Sequence, residues 1–481
     1  MPAGIRWELF GTEIGLVALS LACLVLDLFL RDHASRGKVL ANVALAGIAL
    51  IFGHLVLFQK GLYGLALGSS FVQDGLSLFF KALFLLAGLF TVFMAGQYQK
   101  SLKRGHGEFI LLILFALTGM AFLVSANDFL LFFIALETLS VSLYIMTAYL
   151  KDNAASIEAG VKYLVVGALS TAVFVYGLSF IYGSTGSTSF TTIAAKFVDG
   201  AVPKTFLLGG ILVVCSLGFK IAAVPFQLWA PDVYEGAPTP VTAFLAIGSK
   251  AAGFAALVRL MTGILAPEAQ KFALIFSVLS ALTILYGNLG AIPQGNLKRL
   301  LGYSSIGHAG YLLIGLATFS DLGGQALLYY LLSYLFSTAG VFLVMVAVAD
   351  HFPSDNISDY SGLARRSPLL AATMLLSLLS LAGVPPLAGF FAKFYLLWSA
   401  VKSGLLWLAL VGILNVITSL YYYLRVVKAM YLEKPWDPAP LHVSRAQRVF
   451  QYFALLGILA IGIYQAPFVG FAASAFSHFP R

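Results

Sequence analysis

The chain reads as an all-α polytopic membrane protein, and three observations carry that reading. Sixty per cent of its 481 residues are apolar and only 10% are charged, with a mean hydropathy of +0.93; these values lie far outside the range of soluble globular chains. Apolar runs close to the ~20 residues needed for one helical crossing recur from end to end. Lysine and arginine are divided unequally between alternate loops, the asymmetry that orients membrane helices. The formal charge of +9 is therefore an orientation signal and gives no ground for nucleic-acid binding. Crossing helices share one packed bundle, so residues 1–481 are expected to form a single integral membrane domain.

Taken in order, seven runs in the first half are expected to cross: 9–30, 38–58, 74–98, 109–125, 128–150, 158–182 and 203–228. Seven more follow at 240–264, 271–292, 302–319, 324–349, 369–400, 405–432 and 448–470, which makes fourteen. The first run ends at Arg31, Asp32 and His33 without a small-residue cleavage site, so it reads as a retained helix rather than a signal peptide. The seventh holds Pro225 near its end. The twelfth is too long for one straight crossing, and Gly383, Pro385 and Pro386 divide it. Breaks at membrane depth persist only where protein or water satisfies the freed backbone groups.

Loops after odd-numbered helices carry fourteen Lys and Arg; those after even-numbered helices, together with the termini, carry seven. The odd loops should face the cytoplasm, and both termini the outer, periplasmic side of the cell's inner membrane. Helices four to eight (109–264) and nine to thirteen (271–432) each number five, with a proline-broken, lysine-bearing helix in fourth place. An odd number of crossings per unit forces the second copy to be inverted, as in many transporters whose sites lie at discontinuous helices.

Eight basic residues fall inside the runs: Lys81, Lys162, Lys220, Lys250, Arg259, Lys393, Arg425 and Lys428. Among the carboxylates only Glu137 is clearly mid-run. A lysine at a helix centre costs at least ~2.5–3.5 kcal/mol, so each needs an explanation. Lys220 and Lys250 are eight and ten residues from the inner ends of their runs, or about 12 and 15 Å of helix, and so share a depth. The plain reading of such lysines is that the long stem reaches an interface, which ten residues of depth makes hard for Lys220, Lys250 and Lys393. Burial and a nearby carboxylate act oppositely on a lysine's proton affinity, so a lysine whose partner moves can load and release a proton.

Glu137 reads either as a packing carboxyl bonded to Ser140 or a backbone carbonyl, or as such a partner. Lys162, four residues inside its helix, is a possible link between Glu137 and Lys220. His308, in YSSIGHAGYLL, is either bonded to a helix carbonyl or a lateral proton carrier toward Lys393, since imidazole titrates near neutral pH. Lys81 is ambiguous; Arg425 and Lys428 lie near an inner end. Asp232 and Glu235 are expected to cap the next helix or bind backbone amides, and could also line a cytoplasmic proton entry. No metal-ligand spacing and no nucleophile–base motif stands out, and Cys23 and Cys215 lie far apart in apolar runs, with no spacing for a cluster or haem.

These residues resemble a known family. FKIAAVPFQLWAPDVYEGAPTPVTAFLAIGSKAAGF at 219–254, NLKRLLGYSSIGHAGYLLIG at 296–315, SLAGVPPLAGFFAKFYLL at 380–397 and Glu137 are similar to the antiporter-like subunits of respiratory complex I, the proton-pumping NADH:quinone oxidoreductase. The likeness covers nearly the whole chain. Lys393, where M-type chains usually carry glutamate, and an end at Arg481 without the lateral helix of the L-type point to the N-type branch.

The resemblance implies a proton-translocating translocase subunit that binds no cofactor itself, with NADH, FMN, iron–sulfur clusters and quinone in partner subunits. The partners it implies are the other membrane subunits, including other antiporter-like ones, and the lipid bilayer. Carried over by motif, Glu137 and Lys220 become the coupled pair of a first half-channel, Lys250 a central bridge and Lys393 the terminal group of a second. Pro225, Pro385 and Pro386 become the hydrated breaks between them. Two alternatives belong to other classes: a gradient-driven cation/proton antiporter subunit of the Mrp type, and a membrane subunit of an energy-converting hydrogenase. Copurifying proteins would separate these readings.

Overall fold

Nearly every apolar run folds as a helix, because in hydrocarbon each backbone N–H and C=O must be satisfied within its own segment. The computed structural model describes residues 6–30, 36–102, 105–197, 202–349, 351–352, 354–435 and 437–477. Arg31, Asp32, His33, Lys103, Arg104 and Arg481, which enter the loop readings above, lie outside these residues.

The first six helices are α1 (Gly11–Phe29), α2 (Arg36–His54), α3 (Gly75–Gln97), α4 (His106–Val124), α5 (Phe129–Thr147) and α6 (Ala154–Thr185). Next come α7 (Lys204–Lys220), the short α8 (Trp229–Gly236) and α9 (Thr239–Thr262), which passes through a π turn at Leu245–Ser249. The second half holds α10 (Ala269–Ala291), α11 (Leu297–Ala317), α12 (Asp321–Val348), α13 (Pro368–Ala382), α14 (Ala388–Lys402), α15 (Leu406–Leu432), α16 (Arg445–Ile463) and α17 (Ala466–Ser477). Twelve spans among the described residues are long and apolar enough to cross a membrane.

Helix starts follow side-chain capping. Asp74, Asp128, Asn153, Asn296 and Ser320 each accept a backbone N–H from the first turn of α3, α5, α6, α11 and α12, satisfying donors that a helix leaves orphaned. A two-stranded antiparallel pair, β1 (Gly64–Ala66) and β2 (Phe71–Gln73), joins α2 to α3, with Leu65 opposite Val72.

Two of three boundaries depart from expectation. Where the sequence predicts one helix over 203–228, α7 ends at Lys220, and residues 221–228 run irregularly through Ala222 at φ +55° and Pro225. Lys220 therefore terminates a helix instead of lying eight residues inside one. The run 369–400 is divided as its prolines require, between α13 and α14. The run 448–470 is two helices, α16 and α17, parted at Tyr464–Gln465 just ahead of Pro467.

Burial sorts the bundle. The apolar stretch of α9 is wholly enclosed and those of α11 and α12 are 94% buried, whereas α6 and α16 bury only 28% and 33%. α9, α11 and α12 thus form the interior, and α6 and α16 present apolar faces outward. α11 is pressed so closely on α10 that a Cβ at Gly287 would strike the backbone of Gly307, the close approach that small residues permit between membrane helices.

Candidate functional site

Lys220 closes α7 and points into the interior, only 5% exposed. Its Nζ donates to Ser140 Oγ on α5 at 2.6 Å and lies 5.3, 5.9 and 5.4 Å from the rings of Tyr144, Tyr163 and Phe219. Such an aromatic cage stabilises a desolvated cation. Glu137 stands one turn before Ser140 on the same helix and accepts from Thr171 Oγ1 of α6 at 2.8 Å. Ser140 itself donates to the Leu136 carbonyl at 2.5 Å. The hydrogen-bond partner of Glu137 is thus Thr171 rather than Ser140: Ser140 serves Lys220, and Glu137 flanks that contact from the next turn.

The row continues on α9. Gly253, one turn beyond Lys250, packs on Lys220 so closely that a Cβ there would sit 3.4 Å from the Lys220 Cβ. Lys250 follows the π turn directly, a feature often found at functional sites, and donates to the Ser305 carbonyl of α11. The Ser305 hydroxyl bonds Tyr234 of α8 at 2.9 Å.

His308 lies one turn further along α11, with Nδ1 2.6 Å from the Tyr330 hydroxyl and Nε2 3.2 Å from that of Tyr423. Its bonds go to phenols of α12 and α15, and not to a helix carbonyl. A cavity of about 10 Å³, room for roughly one water, is bounded by His308, Tyr330, Ser333, Ser337, Ser380 and Lys393, among others.

Lys393, in the first turns of α14, reaches back across the break to donate to the Ala382 carbonyl at the end of α13, 2.9 Å away. Its amine is 5.0 Å from the Tyr311 ring. Gly383 makes this reach possible: its φ is +90°, and a Cβ there would meet Lys393 Cδ at 3.0 Å, so the position suits glycine.

Lys162 takes no place in this row. It is half-buried, and its amine pairs with Glu158 at 2.7 Å and Asp232 at 2.6 Å. Arg299 closes the group with Asp232 at 2.7 Å and Glu235 at 2.9 Å. Asp232 and Glu235 consequently do not cap α9, whose cap residue Pro238 makes no side-chain bond; two cations facing them across α6 and α11 outcompete backbone amides.

Sequence reasoning passed over Ser305, Tyr330 and Tyr423, which come from helices distant in the chain and carry no mark in a linear reading. It also missed Glu13, which sits three residues into α1 yet is 1% exposed and paired with Lys81. Among the described residues no group of three His, Cys, Asp or Glu side chains could hold a metal ion.

Residues 126–418 match the family described as "NADH:quinone oxidoreductase/Mrp antiporter, TM". Over 470 residues, covering 97% of this chain and 98% of the relative, the sequence is 44% identical to NADH-quinone oxidoreductase subunit N of Moorella thermoacetica. A chain of respiratory complex I from Thermus thermophilus superposes with a TM-score of 0.81 at 34% identity, covering 96% of this chain and 99% of that one. A chain of the Mrp complex from Dietzia sp. DQ12-45-1b gives a TM-score of 0.86 over 98% and 97% of the two chains, but at 20% identity it shares the fold alone. On sequence and fold together, the chain belongs to the family of NADH-quinone oxidoreductase subunit N.

Proposed function

We propose that this chain is the proton-translocating membrane subunit of an NADH:quinone oxidoreductase, driven by electron transfer carried out in partner subunits. The observation that carries the proposal is the row of buried amines, each at a helix irregularity and each hydrogen-bonded to a group on another segment: Lys220 to Ser140, Lys250 to Ser305 and Lys393 to Ala382. Glu137 borders the start of this row, and His308 with its cavity bridges Lys250 toward Lys393.

In this reading α7–α8 and α13–α14 are each one broken crossing, which with the twelve long spans gives fourteen. The two five-helix units, 109–264 and 271–432, are inverted copies, and both termini face outward. Glu137 moving toward or away from the Ser140–Lys220 contact changes that lysine's hold on its proton. The released charge then acts on Lys250 and, through Ser305, His308 and the phenols, on Lys393. In a low-dielectric interior each step alters the next. The chain's own residues hold and pass protons; NADH, FMN, iron–sulfur clusters and quinone belong to the partners. Lys162 has a different part, clamping α8 to α6 and, through Asp232 and Arg299, to α11.

A gradient-driven antiporter of the Mrp type is the weaker reading, since that likeness is one of fold, whereas identity reaches 44% with the oxidoreductase relative. The test is to place Lys220→Ala and Glu137→Ala in the assembled enzyme and follow proton uptake into vesicles alongside quinone reduction. Assembly is expected to persist while translocation and coupled reduction fall. Normal translocation by both variants would refute the roles given to these residues, and a mild-detergent pull-down lacking oxidoreductase subunits would refute the parent complex.

A further inference from the structure

The amine row leaves one buried set of charges unused, at the end of the bundle where α1 and α3 begin and α2 and α9 finish. Lys81 of α3 and Glu13 of α1 have side chains 0% and 1% exposed, with Nζ 2.8 Å from Oε1. Lys81 also donates to Gln73 Oε1 at 3.0 Å and lies 5.1 Å from the Phe71 ring. The residue after Gln73 is Asp74, whose two carboxylate oxygens take Arg259 Nη1 and Nη2 at 2.5 and 3.1 Å. Arg259 sits on α9, nine residues past Lys250, and donates as well to the Val124 carbonyl. Glu13, Lys81, Asp74 and Arg259 therefore make one enclosed, charge-balanced cluster that ends on the helix of Lys250.

Its two pairs are built differently. Asp74 is saturated: besides the forked guanidinium it accepts the Ser77 N–H at 2.8 Å as the cap of α3. Such a pair is an anchor. Glu13 is not saturated, since among the described residues no protein group gives either of its oxygens a regular hydrogen bond. Lys81 supplies its countercharge. Burying a charge without hydrogen bonds is costly, and passing one proton from amine to carboxylate would leave two neutral groups in place of two charges. Polar groups also lie beside the chain neighbour of Glu13. Thr12 donates to Gln59 Oε1 at 2.7 Å, the Gln59 Nε2 is buried without a hydrogen-bond partner among the described residues, and Lys60 beside it is exposed.

We propose that Glu13 and Lys81 are a proton-exchange pair, a station between the lysine row and the solvent at this end of the bundle, with Asp74–Arg259 fastening it to α9. The proposal rests on the relay reading above. In the exchange an N–H bond of Lys81 breaks and an O–H bond forms on Glu13 across the 2.8 Å contact; Glu13 releases the proton to solvent at this end of the bundle, and Lys81 is reprotonated from the interior.

Lys81→Arg discriminates this role from a structural ion pair, because arginine keeps the charge but does not give up its proton. In the assembled enzyme in proteoliposomes, Lys81→Arg is expected to assemble normally and lose proton translocation by about tenfold or more, as when a positioned proton-transfer group is removed. Glu13→Gln/Lys81→Met, which removes both charges together, is expected to do the same. Wild-type translocation by Lys81→Arg while Lys220→Ala has lost it would overturn the proposal and leave the relay standing. Wild-type translocation by Lys220→Ala would instead sink the relay reading itself. Should neither Lys81 variant assemble, the unmodified enzyme can be treated with a hydrophobic carbodiimide and mapped by mass spectrometry. Labelling of Glu13 that rises during turnover supports the exchange, and labelling that ignores turnover, or none, overturns it.

Discussion

At the first irregular segment α7 stops on Lys220 itself, whereas at the second Lys393 lies beyond the break and stretches back to Ala382. In both places an ammonium group meets the C-terminal end of the leading half-helix, where unpaired carbonyls and the helix dipole favour a cation. Different sequence positions thus reach one electrostatic arrangement. What separates the two is the partner. Lys220 bonds a serine hydroxyl one turn from Glu137, a side chain that can rotate away. Lys393 bonds a main-chain carbonyl and faces the small polar space it shares with His308. Under the proposed relay, the first break would be switched by a neighbouring acid, and the second would receive charge and hold it.

That contrast can be broken experimentally. The largest effect is expected from Lys393→Met, which should lower proton translocation by about tenfold or more, in keeping with loss of a proton-transfer group, while the complex still assembles; retention of translocation would remove Lys393 from the row. Ser140→Ala should act through Lys220 alone. Losing a hydrogen bond to a charged group is worth about 1.5–3 kcal/mol, so translocation should fall by less than in Lys393→Met and follow a shifted pH profile. An unshifted profile at the wild-type rate would mean that this hydroxyl does not tune Lys220. The smallest effect belongs to Lys162→Met, whose partly exposed pairs contribute about 1 kcal/mol; thermal stability should drop slightly and translocation stay unchanged. A loss comparable to that of Lys220→Ala would return Lys162 to the row.

How much of this was legible in the sequence depended on whether the signal was local. Run length and loop charge are local, so twelve long spans and both proline-divided passages could be read directly. The end of α7 could not, because Pro225 marks only where a helix is impossible; the chain leaves the helix at Lys220, where the amine finds Ser140 on another segment. Lys162 looked like a relay member by depth alone, but Asp232, 70 residues away, claims it. Glu13 stands early in its run, and the Lys81 that pairs with it comes from a helix well beyond it in the chain. The phenols around His308 come from 22 and 115 residues along the chain, a distance over which spacing says nothing.

The complete enclosure of α9 has a consequence for energy conservation. Driving one proton against 100 mV takes about 2.3 kcal/mol, and a conductor open sideways to lipid headgroups would let that work dissipate as leak. Lys250 lies inside a sheath of other helices, which in the proposed relay would serve as electrical insulation. On that proposal the voltage drop would fall across the two discontinuities at its flanks, and sensitivity to membrane potential should originate there.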